Sequence, residues 1–560
     1  MKKSGMKVLN FYQLKFERKV NIMNKKVDYF QPYDETIPIL IIGGSLVGLS
    51  LSLLLAKQGV SSMVVERHPD TAIHPRVAGL TSRTMEIFRV LGVEKDIRNV
   101  EPQFSKESKV FQAESLVGQL FNQTIEEMSA FFTDESPVKG SCIAQDILEP
   151  ILRKHAEQNG VDLRYNTEMI SFEQDQDGVS AIIRNKSDST SRQIKADFMI
   201  AADGSKSGVR KQLDIEQHGA GTIMHNMSMV FEADIAELFA KRNAVMGFVR
   251  NEKVMGALVS YPGTSVRPDL YRLDIWYDPK KESVADYPES RCIPLIRAAV
   301  GISDLQVNLK TVLSWEMAAR VSDCFQQGRI FLVGDSVRVQ PPSGALGGNT
   351  GIAEAQNLAW KLAAVLRGDT GLDLLKTYES ERLPIADLTV EQTTLLSQQR
   401  ATEDIDQITV NTLMINMGYR YLKGAFVTED KQDTTQIKLP NQWKGLPGTR
   451  APYVDFDKNG KQISTLDLFG TLFVFLVSPK GMEWIPAIKE VEKRFNLSLP
   501  IYQIGSDLTD IDGRFCNSYG VDTTGAVLVR PDGIVAWRSS GMADDPMQVL
   551  ERAVSSILLR

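Results

Sequence analysis

The 560-residue chain has few of the residues that build metal centres and disulfide frameworks. Its four cysteines form no CxxC pair, and its five histidines lack the spacing of metal ligands. We therefore expect no metal site and no structural disulfide, as is typical of the cytoplasm. No apolar run reaches the roughly 18 uncharged residues that a membrane-spanning helix needs. The formal charge of −6 provides no basic field, so we expect neither nucleic acid nor a membrane as partner.

The first part of the chain is rich in lysine but lacks the apolar core and cleavage site of a secretory signal. We expect residues 1–34 to be a disordered leader. Two alternatives remain open: translation starts at Met23, or the basic segment tethers the protein to a surface. The length exceeds that of a single core, so two to four domains are expected.

A glycine-rich segment follows the first continuous apolar run. Residues 37–42 are apolar and stop at glycine, which is typical of a buried parallel strand. With a predicted helix over 46–58 and a strand over 62–66, this is a βαβ unit whose helix N-terminus binds a pyrophosphate. Serine replaces the second glycine of the GxGxxG fingerprint. The residues expected to contact the cofactor are Gly43, Ser45, Leu46, Val47 and Gly48.

The second predicted strand of this unit ends in an acidic residue, Glu66, followed by Arg67. A carboxylate at this position of a dinucleotide fold accepts hydrogen bonds from the adenosine ribose and disfavours a 2′-phosphate. We therefore expect tightly bound FAD, rather than NADPH, as the resident cofactor, with Glu66 and Arg67 beside it.

A second glycine-rich segment begins far along the chain, after a predicted buried strand over 328–334. Either segment alone is a weak signal, but together they indicate the two ends of one flavin site. We predict a helix over 352–366 behind this segment. The residues expected beside the flavin are Gly334, Asp335, Pro342, Gly344, Leu346, Gly347, Gly348 and Asn349.

Further motifs make the sequence similar to a known family. HPRVAG at 74–79, QDILEP at 145–150, ADGSKS at 202–207 and GRIFLVGD at 328–335 resemble motifs of the class A flavoprotein aromatic hydroxylases. These are the relatives of p-hydroxybenzoate hydroxylase, phenol hydroxylase and the polyketide hydroxylases. GLPGTRAP at 445–452 and TGAVLVRPDGIVAW at 524–537 resemble the C-terminal thioredoxin-like domain of the larger members.

The resemblance implies an α/β fold: a Rossmann-like FAD-binding domain, an inserted, mostly antiparallel β-sheet substrate domain and a C-terminal thioredoxin-like α/β domain. The alternating patterns within 221–318 and the β-α-β-β-β-α order of the last hundred residues agree with it. The expected boundaries are 35–220 and 319–400 for FAD binding, 221–318 with a contribution from about 100–140 for the substrate sheet, 401–448 for a helical and loop linker, and 449–560 for a thioredoxin-like domain without CxxC.

The resemblance also implies the chemistry. NAD(P)H reduces FAD in a transient encounter, O2 forms a C4a-hydroperoxyflavin, and one oxygen atom passes to an electron-rich aromatic ring. Arg76 is expected to offset pyrophosphate charge, Gln145 to hydrogen-bond the cofactor and Asp335 to hold the ribityl chain. Asp203 is expected near the pyrophosphate. Pro342 and the loop 344–349 are expected along the isoalloxazine, with backbone N–H groups facing its N1–C2=O edge. A homodimer is a further expectation.

Three positions depart from the family pattern. The family commonly has Gly-Asp-Ala-Ala-His, whereas this chain ends the corresponding segment in Arg338. Ala345 stands where a second glycine is usual, and Glu354 stands where an aspartate is usual. Arg338 is either a solvated loop residue or a change that alters substrate access or the environment of the flavin.

The function expected from this resemblance is hydroxylation of a phenolic, polycyclic, polyketide-like compound. Two alternatives remain: an epoxidase, Baeyer–Villiger or antibiotic-inactivating monooxygenase on the same scaffold, or a flavin-binding protein without catalysis. The sequence identifies no catalytic base. The residues considered for the substrate pocket are His225, Arg250, Tyr261, Trp315 and Arg338.

Overall fold

The computed structural model describes residues 33–76, 79–102, 108–122, 130–401, 411–430 and 432–560. The expected leader therefore lies almost entirely outside the described residues, as do Val77 and Ala78 of the 74–79 motif. Within the described ranges, every helix is too short or too polar to cross a membrane.

The elements are numbered in chain order. The strands are β1 (Glu35–Ile42), β2 (Ser62–Val65), β3 (Lys109–Ala113), β4 (Leu120–Asn122), β5 (Asp162–Arg164), β6 (Thr167–Gln174), β7 (Val179–Asn185), β8 (Ser191–Ala201), β9 (Gln217–Glu232), β10 (Ala244–Arg250), β11 (Met255–Tyr261), β12 (Leu270–Trp276), β13 (Asn308–Ser322), β14 (Gln326–Gln327), β15 (Ile330–Leu332), β16 (Arg338–Val339), β17 (Asp455–Lys458), β18 (Lys461–Ser464), β19 (Val474–Val477), β20 (Ile501–Gln503), β21 (Thr509–Asp510), β22 (Ala526–Val529) and β23 (Val535–Ser539). The helices are α1 (Leu46–Lys57), α2 (Ser82–Val90), α3 (Glu94–Val100), α4 (Gln145–Gln158), α5 (Gly208–Gln212), α6 (Ala236–Lys241), α7 (Glu289–Val300), α8 (Leu346–Leu366), α9 (Asp373–Ala401), α10 (Thr412–Met417), α11 (Trp484–Phe495), α12 (Phe515–Tyr519) and α13 (Pro546–Leu558).

The first sheet has the order β14-β15-β8-β1-β2-β5, with β7 and β6 continuing from β8. The apolar strand β1 pairs in parallel with both β2 and β8, which buries it on both sides. The apolar helix α1 starts directly after β1, as in a βαβ unit, and shares the buried core of this sheet with α8. The carboxyl ends of β1, β2 and β15 consequently meet at one edge, where loops bind ligands in α/β sheets.

The second sheet has the order β16-β13-β9-β12-β11-β10-β3-β4 and is antiparallel apart from the β10–β3 pair. Side chains alternate across its two faces. On β12, Tyr271, Leu273 and Ile275 are buried in an apolar cluster that also contains residues of α7. The intervening residues Arg272 and Asp274 point to the opposite face, towards the first sheet.

The C-terminal region has a four-stranded sheet of order β20-β19-β22-β23, in which β19 is parallel to β20 and antiparallel to β22. Helices α11 and α13 pack against this mixed sheet. The thioredoxin-like assignment of this region stays a prediction. A second sheet, β18-β17-β21, adjoins it.

Buried ions join the C-terminal region to the helices behind the first sheet. Arg530 donates to Glu381 on α9 at 2.7 Å, and Lys361 on α8 donates to the same carboxylate at 2.9 Å. All three side chains are fully buried. Burial alone raises the pKa of Glu381, but the two cations outweigh it and lower this pKa to about 2. The two regions therefore share one set of buried charges.

Candidate active site: a cavity between two sheets

A cavity of about 2510 Å³ lies between the ligand-binding edge of the first sheet and the open face of the second. Four predicted cofactor residues do not line it: Gly48, Gly334, Leu346 and Asn349. The predicted cofactor residues that do line it are Gly43, Ser45, Leu46, Val47, Glu66, Arg67, Arg76, Gln145, Asp203, Asp335, Pro342, Gly344, Gly347 and Gly348.

The turn between β1 and α1 requires glycine at two positions. Gly43 has φ +110°, and a Cβ there would lie 2.2 Å from the Ala202 carbonyl oxygen. A Cβ on Gly48 would lie 1.9 Å from the carbonyl oxygen of Gly43. The absence of a side chain at Gly48 thus allows α1 to approach the Gly43 carbonyl group closely. The N-terminus of α1 consequently faces the cavity, and a helix start of this kind is the ordinary binding site of a pyrophosphate.

Glu149 on α4 is a site residue that sequence reasoning missed. Its carboxylate accepts hydrogen bonds from the Ser45 hydroxyl at 2.5 Å and the Leu46 N–H at 2.8 Å, and the side chain is 1% exposed. The Gln145 amide, expected to bond the cofactor, donates to Glu149 at 2.6 Å and to Ser45 at 3.1 Å. Negative charge here is stabilised by the N-terminus of α1. The signal was the i, i+4 spacing of Gln145 and Glu149 within the QDILEP motif.

Glu66 lies at the edge of the cavity and is held by the backbone. Its carboxylate accepts from the Gly44 N–H at 2.8 Å, the His68 N–H at 2.8 Å and the His68 ring at 2.6 Å. Each carboxylate oxygen has two lone pairs, so acceptor capacity remains for ribose hydroxyls. Arg67 and Arg76 are exposed side chains at the same cavity wall, where they can offset phosphate charge.

Asp335 presents its carboxylate to the cavity. No group among the described residues donates a hydrogen bond to it. Surrounding protein raises the pKa of Asp335, and the nearby Arg338 and Arg76 oppose that shift. Asp203 likewise has one buried carboxylate oxygen without a partner. The other Asp203 oxygen accepts the Val209 N–H at 3.2 Å. The acceptor oxygens that remain on Asp335 and Asp203 fit a ligand rich in hydroxyl groups, such as the ribityl and ribose parts of FAD.

The segment predicted as a loop over 344–349 is a loop only as far as Ala345, because α8 begins at Leu346. Gly344 and Ala345 have φ values of +77° and +55°, and this left-handed conformation costs alanine about 1 kcal/mol more than glycine. Among the described residues, and apart from the backbone of α8 itself, no atom lies within 4 Å of a Cβ built on Gly347, so space remains beside the cavity wall for a flat ring. The first N–H groups of a helix lack α-helical acceptors, so those of α8 are candidate donors to a ligand at this wall.

Asn349 performs a structural task at the start of α8. Its side-chain oxygen accepts from the Thr81 N–H at 3.0 Å and the Thr84 hydroxyl at 2.6 Å, and its nitrogen donates to the Gly79 carbonyl at 3.0 Å. The side chain is 2% exposed and does not reach the cavity. It instead fixes the 79–84 segment against α8.

Arg338 is not a solvated loop residue, so that alternative was wrong. It is fully buried and donates to Glu354 at 2.7 Å, to the Gln340 side-chain oxygen at 2.9 Å and to the Gly347 carbonyl at 2.9 Å. The other Glu354 oxygen accepts the Gly334 N–H at 2.7 Å. Two departures from the family pattern are therefore the two halves of one buried ion pair.

The substrate sheet contributes a polar wall. The Trp315 indole N–H donates to the Ser228 hydroxyl at 2.8 Å, and Ser228 donates in turn to Asp274. Arg272 donates to the other Asp274 oxygen at 3.0 Å. Asp274 and Ser228 lie opposite each other on β12 and β9. Each Asp274 oxygen has one donor, and the wall also presents the Arg272 guanidinium and the Asn226 amide nitrogen as donors to a ligand.

Two further groups complete the polar wall. The guanidinium of Arg272 lies 5.5 Å from the centre of the Tyr261 ring. Burial raises the pKa of Tyr261 to about 12, against the opposing effect of Arg272. The Asn226 side-chain nitrogen is buried at the cavity without a partner. Sequence reasoning missed Arg272, Asp274, Ser228 and Asn226. Charged residues alternate with apolar ones along 271–275, but that pattern does not distinguish a cavity-facing strand from a solvated one.

The five residues considered for the substrate pocket separate into two groups. Arg250, Tyr261 and Trp315 line the cavity. His225 does not line it and instead contacts the Tyr277 ring at 6.1 Å between centroids. Arg338 lies behind the cavity wall. The assignment of individual catalytic roles to these residues stays a prediction.

Comparison with known proteins agrees with this geometry. Residues 36–393 match the family model described as an FAD binding domain, and 444–559 match that of the aromatic-ring hydroxylase C-terminal domain. The chain is 38% identical to 4-methyl-5-nitrocatechol 5-monooxygenase of Burkholderia sp over 94% of its length and 99% of that protein. It is 36% identical to tetracenomycin A2 monooxygenase-dioxygenase of Streptomyces glaucescens, over 94% and 97% respectively.

Solved structures give the same result. A ternary complex of aklavinone-11 hydroxylase with FAD and aklavinone has a TM-score of 0.86 at 34% identity, covering 94% of this chain and 99% of that one. The monooxygenase PieE, in complex with FAD and substrate, has a TM-score of 0.84 at 28% identity, with 94% and 100% covered.

These findings confirm the α/β fold class, FAD as the cofactor and monooxygenase activity. The alternative of a flavin-binding protein without catalysis is set aside, because these relatives are named as monooxygenases or hydroxylases across nearly the whole chain. The described residues fit the cofactor through the glycine turn, the carboxylates facing the cavity and the open space at Gly347. The chain therefore belongs to the FAD-dependent aromatic-ring hydroxylases.

Proposed function

We propose that this enzyme hydroxylates a polycyclic phenolic compound whose ring oxygens accept hydrogen bonds from the polar wall of the substrate sheet. The observation that carries the proposal is the arrangement of Arg272 and Asn226 as donors facing a large cavity. Ordinary ligand pockets occupy roughly 300–1,000 Å³, whereas this cavity measures about 2510 Å³. That volume accommodates a dinucleotide cofactor and a multi-ring substrate together.

The donors suit a phenolate or a quinone carbonyl. Arg272 is held by Asp274 and cannot lose its proton, so it remains a cation at the cavity. A fixed cation favours the ionised form of a bound phenol, because opposite charges attract strongly where water is excluded. A phenolate ring is a better nucleophile than a phenol ring. In this proposal the wall activates the substrate without a dedicated base, and FAD supplies the oxygen chemistry when bound.

A second candidate substrate is a single-ring nitrophenol. The chain is 38% identical to a 4-methyl-5-nitrocatechol 5-monooxygenase. A nitro group acidifies a phenol and adds acceptor oxygens, so such a compound also fits a wall of donors. Its small size leaves much of the cavity unfilled, which is why we favour the polycyclic class.

The remaining partners belong to the same proposal. NAD(P)H and O2 are the co-substrates, NAD(P)H binds transiently, and the enzyme works as a homodimer in the cytoplasm. The four cysteines, all unpaired, agree with a reducing compartment.

The experiment is a substrate comparison on the purified holoenzyme. Aklavinone, tetracenomycin A2 and 4-methyl-5-nitrocatechol are offered with NADH or NADPH under ¹⁸O2, and dinucleotide oxidation and product mass are followed. We expect the polycyclic compounds to stimulate oxidation and to gain one labelled hydroxyl oxygen. Labelled product from the nitrocatechol alone favours the second candidate, and an epoxide or a ring-expanded ester contradicts hydroxylation. Methyl ethers of the same phenols are the matched controls, since they cannot form a phenolate.

A further inference from the structure

The Arg338–Glu354 pair joins the two chain segments that face the expected flavin. Glu354 holds the turn before Asp335 through the Gly334 N–H, at 2.7 Å. Arg338 reaches the start of α8 through the Gly347 carbonyl, at 2.9 Å. Both side chains of the pair are fully buried. These two segments lie on either side of residues 340–345, and the pair fixes the distance between them.

The contact of Arg338 with Gln340 fixes the orientation of an amide. Arginine can only donate hydrogen bonds, so the Gln340 oxygen must face Arg338, as it does at 2.9 Å. The Gln340 nitrogen then points away from it. That nitrogen is buried and has no hydrogen-bond partner, and Gln340 lines the cavity. A buried donor without a partner costs about 1–3 kcal/mol, so a ligand acceptor is expected to satisfy it.

The contact of Arg338 with the Gly347 carbonyl acts on a backbone donor. The carbonyl of Gly347 and the N–H of Gly348 belong to one peptide group, and Gly348 lines the cavity in the first turn of α8. Its N–H therefore lacks a helical acceptor. A charged donor on the carbonyl side polarises the peptide, which makes its N–H a stronger donor.

We propose that Arg338 is a positioning residue that holds the Gln340 amide and the Gly347–Gly348 peptide as hydrogen-bond donors to the bound flavin. Both donors favour negative charge on the flavin ring, and reduced flavin is the more negative form. Arg338 thereby raises the reduction potential of the cofactor without contacting it. This inference rests on the FAD site and is independent of the substrate proposed above.

The experiment is an anaerobic reductive titration of the holoenzyme against a reference dye, with no substrate present. The variants are Arg338→Met, Gln340→Leu and the double variant. We expect each single variant to weaken binding of reduced FAD, relative to oxidised FAD, about tenfold, which for a two-electron couple lowers the midpoint potential by about 30 mV. The double variant should shift the potential less than the sum of the single variants, because Arg338 acts partly through Gln340.

Lys361→Met is the matched control. Lys361 is fully buried, lies on the same helix as Glu354 and pairs with Glu381 at 2.9 Å, but it does not line the cavity. It should lower the unfolding temperature and leave the potential unchanged. Equal potentials for wild type, Arg338→Met and Gln340→Leu would overturn the proposal, as would the same shift in Lys361→Met.

A folding failure of Arg338→Met leaves the proposal testable. Arg338→Lys retains the cation but not the planar set of donors, so it should give a smaller shift in the same direction. Gln340→Leu removes a partly exposed side chain and is expected to fold. If both of these variants fold with an unchanged potential, the inference is wrong.

Discussion

The two walls of the cavity differ in whether backbone groups or side chains provide their function. The cofactor wall uses backbone N–H groups at helix starts and glycines that let the chain turn tightly, as at Gly43 and Gly48. The substrate wall uses side chains on neighbouring strands, chiefly Arg272 and Asp274. Backbone function needs a fixed local sequence, whereas a strand accepts many side chains at a position that faces a cavity. The difference explains how one cofactor site can serve relatives with different named substrates.

The largest expected effect tests the backbone wall with two glycines. A Cβ on Gly48 would lie 1.9 Å from the Gly43 carbonyl oxygen, so Gly48→Ala must distort the turn. We expect a loss of about 3 kcal/mol in stability and almost no retained FAD. Gly347→Ala is the matched control for stability, since a Cβ there meets no atom of the described residues outside its own helix backbone within 4 Å. Unfolding temperature and flavin absorbance of the purified proteins measure both effects.

Gly347→Ala also has an expected outcome of its own. The apoprotein should be as stable as wild type or slightly more stable, since alanine favours helix over glycine. FAD binding should nevertheless weaken, because the added methyl group enters the space left beside the cavity. Unchanged FAD affinity would contradict the placement of the flavin at this wall.

Asp335→Ala is expected to have the next largest effect. The variant removes a carboxylate that faces the cavity without a partner, and a hydrogen bond to a charged group contributes about 1.5–3 kcal/mol. The dissociation constant of FAD should rise about 10- to 100-fold, measured by quenching of flavin fluorescence. Asp335→Asn keeps the shape of the side chain and one acceptor oxygen, so its affinity for FAD should fall less. Equal affinity in all three proteins would exclude Asp335 from the cofactor site.

Arg272→Met tests the substrate wall. Loss of the cation should lower kcat/KM for a phenolic substrate about 30-fold, equivalent to about 2 kcal/mol, and leave FAD binding unchanged. The matched control is Arg320→Met, which removes an arginine of the same sheet that pairs with Glu316 away from the cavity. A parallel loss in both variants would indicate general damage to the sheet rather than substrate contact.

Tyr261→Phe is expected to have the smallest effect. A tyrosine pKa raised to about 12 means that the hydroxyl keeps its proton throughout the working range of the enzyme. Removing it should change kcat/KM by no more than about threefold and leave the pH profile between about pH 6 and pH 10 unchanged. If a step in the wild-type profile disappears in the variant, Tyr261 ionises and takes part in proton transfer.

The same contrast explains how much the sequence could predict. The βαβ unit and the second glycine segment were identifiable because an apolar run, a tight turn and a helix start leave local patterns. Arg272 and Asp274 could not be identified as site residues, because charges that alternate with apolar residues form the same pattern on a solvated strand. Their role depends on which face of the sheet meets the cavity, and pairing between distant strands decides that.

Three other residues were missed or misjudged for a related reason. Arg338 and Glu354 were separate departures in the sequence, and only the fold brings them into contact at 2.7 Å. Ala345 was expected within a long loop, yet it directly precedes α8 in a left-handed conformation. Helix starts are hard to locate where no side-chain cap marks them.

The buried ion cluster of Arg530, Glu381 and Lys361 limits which truncations and chimeras of this protein retain a stable fold. A shortened product ending before residue 444 would keep the carboxylate of Glu381 but lose one of its two cations and the apolar cover around it. Chimeras that exchange the last hundred residues between relatives would need to carry a compatible cation at the same place. The terminal segment is thus a structural partner of the FAD-binding part, joined to it by buried ions.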